Sequence, residues 1–218
     1  MPYAVIYALI GYLSGSVLYA EVFCRIFGRK NAIEQSRDAN PGTANAFLYG
    51  GFWCGICTLI FDMAKGFVPV YAYVHMTQMN LAESNGLALV LAAPVAGHIF
   101  PVWHHFKGGK GIAATAGLII STTNIWIVLI CLAAFIAIVA ATRYVSLGSM
   151  TVVTIYLISV IVYGQHGGFG VENVSYLHEM YGVAAFLMIL AFWRHRANIK
   201  RLLSGTENKI SVGGKDKK

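Results

Sequence analysis

Residues 124–142 read N-I-W-I-V-L-I-C-L-A-A-F-I-A-I-V-A-A-T, without a single charge, and Arg143 follows at once. A helix of that length rises about 28 Å at 1.5 Å per residue, close to the roughly 30 Å hydrocarbon core of a bilayer. In lipid the backbone must satisfy its own polar groups, so the stretch reads as a transmembrane helix. Outward from it, apolar runs recur at 3–23, 46–74, 86–103, 111–123, 147–164 and 177–193, which makes seven candidate helices in 218 residues. The run at 111–123 is short for a span, and reads as a half-helix or a continuation of its neighbours. The chain is 57% hydrophobic and 11% charged, against about 25% charged in a soluble domain. Those proportions exclude an ordinary soluble enzyme and predict an all-α, polytopic membrane protein.

The formal charge of +7 could suggest a nucleic-acid ligand in a soluble protein, but its distribution tells otherwise. Arg25, Arg29, Lys30 and Arg37 follow the first run, Lys107 and Lys110 the third, Arg143 the fifth, and eight Lys or Arg lie from Arg194 onward. The connections at 77–85, 121–124 and 165–176 carry none. This alternation satisfies the positive-inside rule with the N-terminus outside and the C-terminus in the cytoplasm. The start of the chain lacks the basic region of a cleaved signal peptide. The expected organisation is one transmembrane helical domain, 1–203, and a polar, basic tail, 204–218, lying loosely near anionic lipid. Four irregularly spaced cysteines make no disulfide framework. Trp53-Cys54-Gly55-Ile56-Cys57 looks like a redox motif, but it runs on into apolar sequence without a βαβ context.

Functional information should therefore sit in the basic loops and in the few polar residues inside spans. In Ser36-Arg37-Asp38-Ala39-Asn40-Pro41-Gly42-Thr43-Ala44-Asn45, turn-forming residues precede a helix that Asn40, Thr43 or Asn45 could cap, leaving its N-terminus to favour an anion. In His104-His105-Phe106-Lys107-Gly108-Gly109-Lys110-Gly111, three glycines allow successive amides to face one point, with Lys107 and Lys110 beside them. That is a phosphate-nest composition, although it lacks the Walker A spacing. His98, His104 and His105 have no carboxylate or cysteine at ligand spacing, so no metal is predicted. On a helix, His195 and Asn198 share a face with Arg201 nearby, next to a second basic segment at Arg143-Tyr144-Val145-Ser146. Asp62 and Lys65, three apart inside a span, must pair or line a wet cavity.

These stretches resemble, in order and over nearly the whole chain, the bacterial acyl-phosphate:glycerol-3-phosphate acyltransferases, the PlsY family. The resemblance runs through N-P-G-T-A-N (40–45), D-M-A-K-G (62–66), G-H-I-F-P (97–101), F-K-G-G-K-G-I-A-A-T (106–115), R-Y-V-S-L (143–147) and H-R-A-N-I-K-R-L-L-S-G-T-E (195–207). It implies a seven-helix enzyme of the bacterial cell membrane that needs no cofactor. The implied reaction moves a fatty acyl group from acyl phosphate to the 1-hydroxyl of glycerol 3-phosphate, giving lysophosphatidic acid and phosphate. It implies catalytic roles for Lys110, Ser146, His195 and Asn198. It also implies substrate or phosphate contacts at Asn40, Gly42, Asn45, His98, Lys107, Gly108, Gly109, Gly111, Arg143, Arg196 and Glu207. No nucleic-acid partner is implied. Two departures stand out: Asp38-Ala39 replaces a Ser-Gly pair, and Leu48 stands where the family carries Arg. A lost guanidinium removes a bidentate phosphate contact and an added carboxylate repels phosphate, so a different acceptor remains an alternative. A transporter or flippase of a phosphorylated metabolite or lipid is a second, because Asp62 and Lys65 could mark a transport path.

Overall fold

The computed structural model of the chain describes residues 2–76, 86–166 and 174–210. Its elements run α1 (Pro2–Gly15), α2 (Tyr19–Ile26), α3 (Thr43–Asn45), α4 (Phe52–Tyr71), α5 (Leu87–Ile99), α6 (Ile112–Thr122), α7 (Ile125–Thr142), α8 (Val145–Gln165), α9 (Val174–Arg194) and α10 (Arg196–Leu203). A π-helical turn, Ala46–Gly50, joins α3 to Gly51 before α4, and another, Ala72–Met76, ends α4. Two of the lysine-free connections, 77–85 and the larger part of 165–176, fall outside the described residues, as does 211–218 of the tail.

Among the described residues, four helices are long and apolar enough to cross a membrane alone, and the α1–α2 pair makes a fifth if it is one span. The predicted single helix over 3–23 is broken: α1 and α2 meet at 41°. Polar groups freed at the break find partners locally. Ser16 Oγ donates to Tyr12 O at 2.8 Å and accepts from Val102 N–H at 3.3 Å, while Lys65 Nζ donates to Val17 O at 2.7 Å. Lys65 also pairs with Asp62 at 2.7 Å, both side chains being essentially buried. The intramembrane lysine therefore closes a helix break, which is how irregular backbone survives at membrane depth. α6, at about 16 Å, reaches halfway through a hydrocarbon core, in agreement with the half-helix reading.

Packing follows glycine. α1 lies on α5 with Gly15 against the Pro94 backbone and Gly97 against Tyr12, and α4 lies on α6 with Gly66 against Ala114 and Gly117 against Met63. A Cβ at any of these would collide with a neighbouring carbonyl, so the helix axes can approach only because none is present. The core they enclose centres on Leu91, Val95, Leu118, Tyr156, Met180 and Leu187. α7 is capped by Asn124, whose side chain accepts from Ile127 N–H at 3.0 Å. Only 11% of its apolar window is buried, against 44–56% for the other three single-helix spans, so its hydrophobic circumference faces lipid. Cys54 approaches Cys24 at 3.2 Å rather than Cys57, and both are free thiols.

Candidate active site

One end of the bundle gathers the start of α6, the start of α8, the junction of α9 and α10, and the loop before α3. α5 stops at Phe100-Pro101, and the chain turns through Val102–His104 into the glycine loop. His105 and Phe106 take positive φ of 52° and 61°, and Gly111 follows at 79°. The Gly108 N–H donates to Ile99 O at 3.2 Å and the Gly109 N–H to His98 O at 3.0 Å. Their carbonyls accept from Arg194, Gly108 O from Nη2 at 2.7 Å and Gly109 O from Nε at 3.1 Å. The expected nest is thus corrected: these two amides staple the loop to the end of α5 and do not face a ligand. The anion-attracting groups that remain are the Lys110 ammonium and the first-turn N–H groups of α6, which have no intrahelical acceptor.

His98 is also placed differently from expectation. It is 2% exposed, with Nδ1 3.6 Å from Asp62 and Nε2 beneath Gly109. It supports the loop from inside and lies next to the Asp62–Lys65 pair. Lys107 is exposed at the loop entrance.

On the far side of Lys110 lies the 36–45 loop. Gly42, and none of Asn40, Thr43 or Asn45, occupies the cap of α3, and no side chain caps it. Asn45 Nδ2 instead gathers the loop, donating to Ser36 Oγ at 2.9 Å, Asp38 Oδ1 at 2.8 Å and Asn40 O at 3.0 Å. Asp38 Oδ2 meets Lys110 Nζ at 2.9 Å. Burial opposes ionisation of Asp38, but Lys110 and the Asn45 and Asn40 donors outweigh it and hold the carboxyl below its usual range.

Glu207 organises the rest. Its Oε1 accepts from Ser146 Oγ at 2.7 Å and Asn198 Nδ2 at 2.6 Å, and its Oε2 from Arg201 Nε at 2.6 Å. Burial pushes its pKa upward, yet these three donors pull it below the ordinary glutamate value. Asn198 Oδ1 is buried and has no hydrogen-bond partner among the described residues. His195 ends α9, with Nδ1 2.7 Å from Ala191 O. Burial first, and Lys110 next, lower its pKa to about 4, so the ring is neutral at pH 7. With the Nδ1 proton assigned to that carbonyl, Nε2 keeps its lone pair. Arg194, the residue before His195, holds the Gly108 and Gly109 carbonyls next to Lys110, so the junction of α9 and α10 brings the two clusters together.

The tail corrects the expected domain limit at residue 203. Arg37 Nη1 donates to Thr206 O at 3.2 Å and Asn208 Oδ1 at 2.6 Å. Arg143 Nε donates to Ile210 O at 2.9 Å, and Ile210 N–H returns a bond to Arg143 O. Residues 204–210 are therefore strapped across the site. Arg143 serves that strap, and Arg196 is turned onto Trp193, stacking at 4.8 Å and donating to its carbonyl. Among the described residues no three His, Cys, Asp or Glu side chains converge to hold a metal.

Residues 5–205 match the family described as glycerol-3-phosphate acyltransferase. The chain belongs to that family. Relatives named glycerol-3-phosphate acyltransferase include one from Thioalkalivibrio sulfidiphilus, 38% identical and covering 94% of this chain and 93% of its own. Another, from Ralstonia pickettii, is 35% identical over the same shares. A crystal structure of PlsY, an integral membrane glycerol 3-phosphate acyltransferase in its glycerol 3-phosphate form, superposes with TM-score 0.83 at 28% identity, covering 95% of this chain and 96% of that one. Its lysophosphatidic acid form superposes with TM-score 0.79 at 27% identity, over 95% of each chain.

Within this family frame, sequence reasoning missed three contacts. Arg194 clamps the glycine loop, Arg201 braces Glu207, and Asp38 engages Lys110. Arg194 has no motif of its own in the sequence, and Arg201 was expected near His195 and Asn198 but without its partner Glu207. Asp38 stood out as a departure, but its partner lies 72 residues away and no local pattern points to it.

Proposed function

We propose that the protein transfers a fatty acyl group from acyl phosphate to the 1-hydroxyl of glycerol 3-phosphate at this site. The observation that carries the reading is the joining, through the Arg194–His195 junction that grips the glycine loop, of a cationic pole at Lys110 and the α6 N-terminus to the hydrogen-bonding cluster of Ser146, Asn198 and Glu207. Lys110 and the first-turn amides of α6 bind the donor's phosphate and stabilise the charge it gains on leaving. Asn198 Oδ1 and His195 Nε2 are acceptors able to orient a hydroxyl against the acyl carbonyl. The hydroxyl oxygen forms the new ester bond to the acyl carbon as the acyl–phosphate C–O bond breaks. The hydroxyl proton passes to a phosphate oxygen, and lysophosphatidic acid and phosphate result. Glu207 acts by positioning Ser146, Asn198 and Arg201. Ser146 Oγ is committed to Glu207, which supports direct transfer without an acyl-enzyme.

The distribution of Lys and Arg supports a site on the cytoplasmic face of a bacterial membrane, with seven helices and the N-terminus outside. Transport gains nothing from Asp62 and Lys65, because their charges are committed to each other and to Val17 O. The test is phosphate release by lipid-reconstituted protein given palmitoyl phosphate, with and without glycerol 3-phosphate, while lipid products are followed by mass spectrometry. Acceptor-dependent release with lysophosphatidic acid is expected. Absence of release from folded protein, or a covalent acyl-protein adduct during turnover, refutes the scheme.

A further inference from the structure

Lys110 is supplied with an anion by its own chain. The Asp38 carboxylate that meets it is held in place, not loose: Asn45 Nδ2 and, at 3.4 Å, the Asn40 N–H both donate to Oδ1. Two donors on one oxygen turn the other toward the ammonium, at the distance of a charge-assisted hydrogen bond. To Lys110 this presents what a phosphate oxygen would present. The pair stays reachable, since the lysine side chain is 18% and the aspartate side chain 27% exposed. Ala39, next to Asp38, is held at φ +45°, a left-handed conformation that strains a residue with a Cβ.

We propose that Asp38 is an internal counter-anion that occupies Lys110 in the substrate-free enzyme, is displaced by substrate phosphate, and thereby sets the affinity for phosphorylated ligands. This rests on Lys110 being a phosphate-binding residue, as set out under Proposed function. A carboxylate and a phosphate on one ammonium repel each other, so binding must first open the ion pair. Apparent affinity falls with the fraction of sites in which that pair is closed. A neutral residue at 38 removes both the competition and the repulsion.

The test uses the full-length reconstituted protein with inorganic phosphate as inhibitor and palmitoyl phosphate and glycerol 3-phosphate as substrates. In Asp38→Asn and Asp38→Ser, the inhibition constant for phosphate and the KM of the substrate held by Lys110 are expected to fall about tenfold, with kcat within about threefold of wild type. Asp38→Glu, which keeps the charge, is expected to stay near wild type. Unchanged constants in the neutral variants overturn the proposal. So does a lower kcat with weaker phosphate inhibition, which would make Asp38 a support for Lys110 and not its competitor. Lys110→Ala, assayed beside them, separates the two readings. If it turns over normally, the assignment of Lys110 has failed; if it is inactive and Asp38→Asn matches wild type, only the counter-anion has failed.

Discussion

Among the described residues, two lysine–aspartate pairs of nearly equal length stand in opposite circumstances. Lys65–Asp62 closes at 2.7 Å with side chains 1% and 0% exposed, and Lys110–Asp38 at 2.9 Å with 18% and 27%. The first is three residues apart on α4, and its ammonium also seals the break between α1 and α2. The second joins loops distant in sequence and lies against the start of α6. Distance alone does not distinguish them. Burial and the number of fixed partners decide whether a charge is committed to the fold or available to a ligand.

The contrast breaks most visibly at Asp62. Asp62→Ala leaves a buried ammonium without its carboxylate, a change costing about 3–5 kcal/mol. A large loss of thermal stability in detergent is expected, with partial recovery in Asp62→Ala/Lys65→Met. If melting is unchanged, the intramembrane pair is not the closure described above. Next in size, Lys110→Ala should lower turnover at least about 100-fold, as expected when one preorganised electrostatic donor is removed, while the melting temperature moves little. Equal losses of stability in the two variants would erase the distinction between the pairs.

The same contrast explains what the sequence revealed. Helix type was legible because lipid enforces long apolar runs, and the run at 124–142 maps onto α7 within a residue. The break at Ser16–Leu18 was not, since it depends on Lys65 and Val102 arriving from other helices. At the site, Lys110 and Glu207 stood in motifs. The use of the Gly108 and Gly109 amides by His98 and Ile99 could not be read from composition, because glycine permits a nest and a staple equally. The tail reads as loosely ordered by its charge, yet one glutamate with three donors helps fix its described part, 204–210.

Glu207 offers a pH test of that fixing. Its folded pKa is lowered, so the stability it adds is fully present above the unfolded glutamate value near about 4.3 and is lost as pH falls through the folded value. Glu207→Gln should therefore melt below wild type at pH 7, by about 2 kcal/mol for charge-assisted hydrogen bonds. The gap should hold down to about pH 5 and narrow below about pH 4. A gap independent of pH down to 3 would mean that the carboxylate's charge contributes nothing to the strap.

The smallest effect sharpens the comparison from the other side, by adding a cation instead of removing one. By the resemblance, Leu48 stands where the family carries Arg, and the structure leaves it 51% exposed on the Ala46–Gly50 turn, just beyond the loop that holds Asp38. An arginine there has no buried partner to satisfy and little packing to disturb, so stability should change by less than about 0.5 kcal/mol. If position 48 faces the acceptor's phosphate, a guanidinium adds a bidentate contact, and Leu48→Arg should lower the KM for glycerol 3-phosphate by about three- to tenfold without altering that for palmitoyl phosphate. Two other outcomes are informative. A fall in both constants means a general gain in positive field, not a contact. No change places the acceptor phosphate against another cation, and Arg37, beside Asp38 and already bridging to the strap, is then the residue to substitute next.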